Sequence, residues 1–308
     1  MEKFLSLMEI IVPILVCIGL GVLARKKKII TTQQNTGMQL FVLKFCIPCV
    51  LFNSCLEAQI GPQNLTTMAM LVPVLFVSSF WAFRFGRKRF PYHNLPMLFS
   101  AHETGMIGLP LCIILFGARQ VYRMGNLDIT QGLISIPAMV ILSADTGSDR
   151  SVGTVVKKVL LSPMLLMSAL GFALGLSGAA DWLNEVGIGG IITKTTSFLA
   201  QPVSAAMLFS IGFNFSMDGE NRKEIFKISG ICLAFAAAAC LVMQGVLFLV
   251  PGVDGLTRWV VLLYCLLPAS YLAPGLSRND GERVMASGVC SVITVVTLVG
   301  FCVIAALA

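Results

Sequence analysis

The chain has 308 residues, 56% of them hydrophobic and only 12% charged, with a formal net charge of +7 and a mean hydropathy of +0.87. Soluble domains carry about 25% charged residues. The composition therefore excludes an ordinary soluble enzyme or nucleic-acid-binding domain and predicts an all-α integral membrane protein, with the basic excess distributed over its loops.

Apolar runs near the length a bilayer requires, about 20 residues, recur along the whole chain, and ten spans are expected. Span one covers residues 4–24 and is followed by Arg25, Lys26, Lys27 and Lys28. A cleaved leader carries its charge before the apolar run and small residues after it, so this run reads as a retained helix. Span two covers residues 38–56, with Lys44 and Pro48 inside, and span three covers residues 68–83, ending in Arg84, Arg87, Lys88 and Arg89.

Span four, residues 95–117, is the anomalous one: LPMLFSAHETGMIGLPLCIILFG. Its ends are apolar, but its middle holds His102, Glu103, Thr104, Gly105, Gly108 and Pro110. Hydrocarbon cannot satisfy that polarity, so the run reads as a broken helix whose middle, expected at Gly105 to Pro110, faces protein, water or a ligand.

Span five covers residues 129–143, slightly short, with Pro137 inside. A polar linker at 144–157 divides the chain into halves 1–143 and 158–308. Span six covers residues 160–177, span seven 191–213 with Lys194 and Pro202, span eight 228–250, span nine 259–276 with Pro268 and Pro274, and span ten 284–306.

The loops after the odd-numbered spans carry sixteen Lys and Arg residues and the opposite side carries four, Lys3, Arg119, Arg123 and Arg258. By the positive-inside rule the linker lies in the cytoplasm and both termini lie outside. Trp81, Trp182 and Trp259 fall where interfacial anchors belong. Lys194 is placed to snorkel to the interface, Glu9 reads as interfacial, and Lys44 faces either packed helices or a cavity.

The halves repeat. Pro13 followed by Leu20-Gly21 in span one matches Pro163 followed by Leu170-Gly171 in span six, 150 residues on. Pro48 with Leu51-Phe52-Asn53-Ser54 in span two matches Pro202 with Leu208-Phe209-Ser210 in span seven. The break in span four matches a break from Pro268 to Pro274 in span nine. Each half has an odd number of spans, so the second enters the membrane from the opposite side. Inverted repeats with interrupted spans at matching places point to a secondary transporter with its site at the midplane. Gly171 and Gly175 form a GxxxG suited to close helix packing, within the chain or between protomers.

Other chemistries find little support. Cys46 and Cys49 form the only CxxC, inside an apolar span, and the remaining eight cysteines are scattered singly, so no metal site or redox motif is expected. There is no HExxH, GxSxG or GxxxxGKS. The chain reads as no enzyme, as no ATP-driven pump and as needing no cofactor.

The segments PILVCIGLGVLARKKKII, FCIPCVLFNS, ETGMIGLPLCIILFG and LLPASYLAPGL together resemble the auxin efflux carrier family, whose bacterial members are often described as malonate or malate permeases. The resemblance implies a fold similar to bile-acid–sodium symporters, in the cell (inner) membrane. Spans four and nine cross at their breaks. Spans 1, 2, 6 and 7 form a scaffold and homodimer face, and spans 3–5 and 8–10 form a transport domain working by elevator-type alternating access.

Transferred to this sequence, the resemblance places Glu103, Thr104, Gly105, Pro110, Pro268, Ser270 and Tyr271 at the substrate, with Glu103 and His102 as candidates for a coupled proton. Its implied partners are a small organic acid, H⁺ or Na⁺, and the lipid bilayer, with no nucleic acid. The family usually has asparagine where Glu103 stands, and lacks here its second asparagine after Pro268. Three readings of Glu103 stay open: it is protonated, it carries the coupled proton, or the substrate is cationic or zwitterionic. The transporter is expected to be coupled to an ion gradient or to run as a uniporter, and the alternatives are a sodium-coupled symporter of the bile-acid type and a non-transporting membrane sensor or partner-binding protein.

Overall fold

Proline and glycine decide where the helices of this chain bend, stop and touch. A computed structural model describes residues 2–58, 62–90, 92, 94–142, 153–154, 157, 160–215, 222–275, 277 and 279–307. The linker expected at 144–157 lies almost wholly outside these residues.

The described chain is all helical, with no β-strand. In order, the helices are α1 (Glu2–Lys26), α2 (Thr32–Leu56), α3 (Asn64–Gly86), α4 (Leu95–Ser100), α5 (Thr104–Phe116) and α6 (Val121–Leu142). The second half gives α7 (Pro163–Leu176), α8 (Ala179–Glu185), α9 (Ile188–Asn214), α10 (Arg222–Leu249), α11 (Gly255–Leu266), α12 (Leu272–Gly275) and α13 (Asp280–Leu307). Among the described residues, five of these (α2, α3, α9, α10 and α13) are long and apolar enough to cross a membrane. Their outward faces carry large apolar side chains in the open: Leu241 of α10 is 75% exposed and Leu249 79%. Water would not tolerate that density of exposed apolar surface; lipid does.

Two helices contain a π-turn placed just before a proline. Val42–Cys46 precedes Pro48 in α2, and Thr104–Gly108 precedes Pro110 in α5. Proline has no N–H for the i−4 carbonyl and its ring clashes with it; a wider turn just upstream shifts the ladder and removes the conflict. For this reason α5 runs through Gly105–Pro110 without interruption, and the break of span four falls earlier, at Ala101–Glu103. Span five likewise begins at Val121 rather than Ile129, because its early polar residues face protein: Asn126 and Thr130 are buried.

Glycine sets the closest helix contacts, and these are reciprocal between the halves. A Cβ at Gly21 of α1 would lie 2.0 Å from the Phe209 carbonyl oxygen of α9; one at Gly171 of α7 would lie 2.5 Å from the Phe52 carbonyl oxygen of α2. Gly212 in turn would meet the Ile18 carbonyl oxygen at 1.9 Å. The backbones touch, so only glycine fits. The GxxxG of α7 is thus used within the chain, with Gly175 seated against the Leu56 carbonyl. At the matching place on the other pair, Arg25 at the end of α1 donates to the carbonyls of Phe213, at 3.3 Å, and Phe215, at 2.9 Å.

Two apolar clusters fill the interior. One joins α1, α2, α3, α5, α6, α9, α10, α11 and α13 around Leu51, Ile107, Met124, Met207 and Tyr264. The other gathers α4, α12, the end of α3 and the N-terminal parts of α10 and α13 around Leu95, Ile228, Ala273 and Met285. Tyr271 packs against both, and the breaks in spans four and nine lie between them.

Candidate functional site

A break in an apolar helix frees backbone N–H and C=O groups that must be satisfied inside the protein. Here the two breaks satisfy each other. Glu103 N–H donates to the Pro268 carbonyl and Ser270 N–H to the Ala101 carbonyl, both at 2.8 Å, so that His102 and Ala269 form an antiparallel bridge. Pro268 is well suited to this role, since its carbonyl is used and it has no N–H to strand.

Glu103 accepts hydrogen bonds from both breaks. It is the N-cap of α5, one oxygen accepting from the Met106 N–H at 3.3 Å. The other oxygen accepts from the Tyr271 N–H at 2.7 Å and from the Ser270 hydroxyl at 3.4 Å. The side chain is only 8% exposed. Helix N-termini carry partial positive charge, and a carboxylate is the side chain that matches it best. The Glu103 carboxylate therefore occupies an anion-shaped place built from two backbone N–H groups and a hydroxyl.

The remaining backbone groups of the breaks are met by polar stripes on two neighbouring helices. On α6, Gln131 works as a surrogate peptide: its oxygen accepts from the His102 N–H at 2.7 Å and its nitrogen donates to the His102 carbonyl at 2.8 Å. The Tyr264 hydroxyl donates to the same Gln131 oxygen at 2.7 Å. One turn on, Ser135 donates to the Ser100 carbonyl at 2.5 Å; one turn back, Asp128 accepts from the Thr104 hydroxyl. On α13, Thr297 donates to the Leu266 carbonyl at 2.5 Å, Cys290 to the Ala269 carbonyl at 3.4 Å, and Thr294 meets the Tyr271 hydroxyl at 3.2 Å.

Of the residues singled out from the sequence, Glu103, Pro268, Ser270 and Tyr271 are brought into direct contact. Thr104 follows Glu103 on α5 and turns to Asp128. Gly105 lies beside Leu43, whose side chain would be 3.3 Å from an added Cβ, and Gly108 beside Leu267, at 2.7 Å. Pro110 is buried further along α5. His102 faces away from Glu103: its Nδ1 pairs with the Leu267 carbonyl at 3.2 Å and its ring lies tilted against Tyr264, with centroids 4.8 Å apart. Lys44 and Lys194 are exposed.

Asp128, Gln131, Ser135, Thr294 and Thr297 were not singled out. Their signal is polar residues at helical spacing, three to four apart, inside apolar runs. Asp128 brings a second carboxylate to the site. Among the described residues neither Glu103 nor Asp128 has a salt-bridge partner, and no group of three or more His, Cys, Asp or Glu side chains gathers into a metal site.

Residues 6–144 match the family model described as membrane transport protein, the family of the auxin efflux carriers. The whole chain is similar to an uncharacterized transporter of Methanothermobacter thermautotrophicus, 23% identical over 309 residues that cover 96% of each protein. Both matches are to proteins described as membrane transporters.

Proposed function

We propose that this chain, whose residues 6–144 match the membrane transport protein family, is a secondary transporter of a small organic acid. It works by alternating access, with the substrate held where the two breaks meet. The observation that carries the reading is the Glu103 carboxylate seated on the Tyr271 N–H, the Met106 N–H and the Ser270 hydroxyl. Those three donors suit any carboxylate, including one that arrives as substrate.

The reading gives Glu103 the coupled proton. Ionised, it fills the donors itself and excludes an incoming anion. When it binds a proton it becomes a weaker acceptor, turns away and frees the donors. One proton and one monocarboxylate then enter together with no net charge. Thr104, Gly105 and Pro110 shape one wall, and Pro268, Ser270 and Tyr271 the other. His102 stands on the far side of the bridge as a second proton candidate.

The reciprocal glycine contacts support two inverted five-span halves. The spans whose glycines touch (one with seven, six with two) form the scaffold in this reading, and the remaining six spans carry the substrate past it. The bridged breaks support a crossing of spans four and nine. The reading keeps a homodimer through the scaffold and both termini outside.

A second reading, a sodium-coupled symporter of the bile-acid type, draws on Asp128. Two carboxylates, a threonine hydroxyl and backbone carbonyls near one another can hold a hard cation. Uptake of radiolabelled mono- and dicarboxylates into proteoliposomes separates the readings. An inward proton gradient drives uptake in the first, and Glu103→Ala retains binding but loses the pH dependence. Uptake that needs sodium and ignores the proton gradient favours the second. No flux of any acid, with a stable partner on purification, favours a sensor.

A further inference from the structure

Residues 102 and 103 are consecutive in an extended run, so their side chains leave on opposite faces. Glu103 goes to the site above. His102 lines a separate cavity of about 390 Å³ between α3, α10 and the break, a volume within the range of small-molecule sites. Its walls are apolar: Pro73 and Val77 from α3, Phe99 from α4, Phe235 and Val242 from α10. Val77 is 63% exposed and Val242 60%, so the mouth lies on the lipid-facing surface between those two helices.

The other polar groups on the wall are already used. The Ser78 hydroxyl donates to the Leu75 carbonyl at 3.0 Å, and the Cys232 thiol to the Leu98 carbonyl at 3.7 Å. His102 is different. Its Nδ1 faces a carbonyl, which can only accept, so Nδ1 carries the hydrogen. In the neutral ring Nε2 is then a bare acceptor, with no hydrogen-bond partner among the described residues.

We infer that this cavity is a binding site for a membrane-dissolved amphiphile: an apolar molecule with one hydrogen-bond donor, such as a long-chain alcohol, which enters between α3 and α10 and donates to His102 Nε2. A plain acyl chain would fill the space and leave the acceptor stranded; water would satisfy the acceptor and leave apolar walls wet. A single donor on an apolar body satisfies both. The site is distinct from the one proposed for transport, and the inference stands whether or not Glu103 carries a proton.

Trp81 offers a direct readout. Its ring lies 5.4 Å from Phe99 and 4.5 Å from Phe235, both of them cavity walls. In lipid nanodiscs of zwitterionic phosphatidylcholine, a chain carrying Trp182→Phe and Trp259→Phe is titrated with a terminally brominated dodecanol or with bromododecane. The alcohol is expected to quench Trp81 saturably, half-maximally at about tenfold lower mole fraction than the alkane, the effect of one net hydrogen bond. His102→Leu brings the alcohol to the level of the alkane. Ala239→Phe, which fills the cavity from α10, removes saturable quenching. Equal quenching by both probes in the parent, quenching that only rises linearly, or an unchanged preference in His102→Leu would overturn the assignment and leave a lipid-filled groove.

Discussion

The carboxylate of Glu103 accepts a hydrogen bond of 2.7 Å from the backbone N–H of Tyr271, 168 residues further along the chain. One side chain in the first half thus holds the backbone at the break in the second. It also caps its own helix through Met106. A structural consequence follows, independent of transport. Glu103→Ala strands two N–H groups and a hydroxyl in a buried place, and each buried donor left unmade costs about 1–3 kcal/mol. Glu103→Gln keeps one carbonyl oxygen in reach of the same donors. In detergent, Glu103→Ala is therefore expected to melt well below the parent and Glu103→Gln in between. Equal melting temperatures for the parent and Glu103→Ala would show that water takes over the capping.

The glycine contacts predict a sharp contrast between glycines seated against backbone and glycines in open space. Gly212→Ala puts a methyl 1.9 Å from the Ile18 carbonyl, and Gly171→Ala puts one 2.5 Å from the Phe52 carbonyl. Backbone cannot yield as a side chain can, so the helices must part, at a cost of about 1–3 kcal/mol or more. Gly19→Ala and Gly190→Ala meet nothing within 4 Å and, as helix positions, gain up to about 1 kcal/mol. Thermal unfolding of the four variants checks this. If the first pair is as stable as the second, the close approaches of α1 to α9 and of α7 to α2 are not rigid. A loss in Gly21→Ala, which puts a methyl 2.0 Å from the Phe209 carbonyl, similar to that in Gly171→Ala also supports the inverted-repeat reading, which makes those two contacts equivalent.

How much of this was legible in the sequence depended on contrast. Glu103, Gly105 and Pro110 stand out because they belong to a short polar and helix-breaking island inside an apolar run, and Pro13, Gly21, Pro163 and Gly171 stand out because their spacing repeats. Asp128 did not stand out. It follows Arg123, Asn126 and other polar residues, and the run from Val121 reads as a loop until tertiary contacts show that α6 has already begun. The position of the break was misread for a different reason. Pro110 looks like the breaking residue, but the π-turn at Thr104–Gly108 absorbs it, and the extended residues are Ala101–Glu103, held by the facing break at Pro268–Ser270 that no local pattern announces.

Asp254 sets a pH dependence away from the spans. It caps α11 by accepting from the Thr257 N–H at 2.7 Å, and pairs with Arg123 at 2.8 Å. Burial opposes its ionisation, but the Thr257 hydroxyl and N–H and the Arg123 guanidinium outweigh that and hold the carboxyl below its ordinary range. Because the folded value is lower than the unfolded one, the contribution to stability is present above about pH 4 and fades as the pH falls through the folded value. The melting-temperature gap between the parent and Asp254→Asn should therefore be full at neutral pH and narrow in acid. A gap that stays constant from pH 7 to pH 3 would mean that the ionised form is not what holds α11 to α6.

Gln131 provides the test of how the breaks are held. Its amide does for His102 what a neighbouring strand would do, giving an acceptor to the N–H and a donor to the carbonyl, while also receiving the Tyr264 hydroxyl. Gln131→Leu has nearly the same bulk and none of these bonds. It leaves three buried polar groups unmet, so a loss of several kcal/mol is expected at about 1–3 kcal/mol for each group. Gln131→Glu keeps the two acceptor bonds and loses only the donor to the His102 carbonyl, so it should lie between. The variants also separate local from global effects. If the extended run Ala101–Glu103 depends on Gln131, hydrogen exchange in Gln131→Leu should rise first at the amides of His102 and Glu103, before the interior of α5 or α11 loosens. Exchange that rises uniformly along α4, α5 and α6 instead would assign Gln131 to general helix packing and leave the bridge to hold itself.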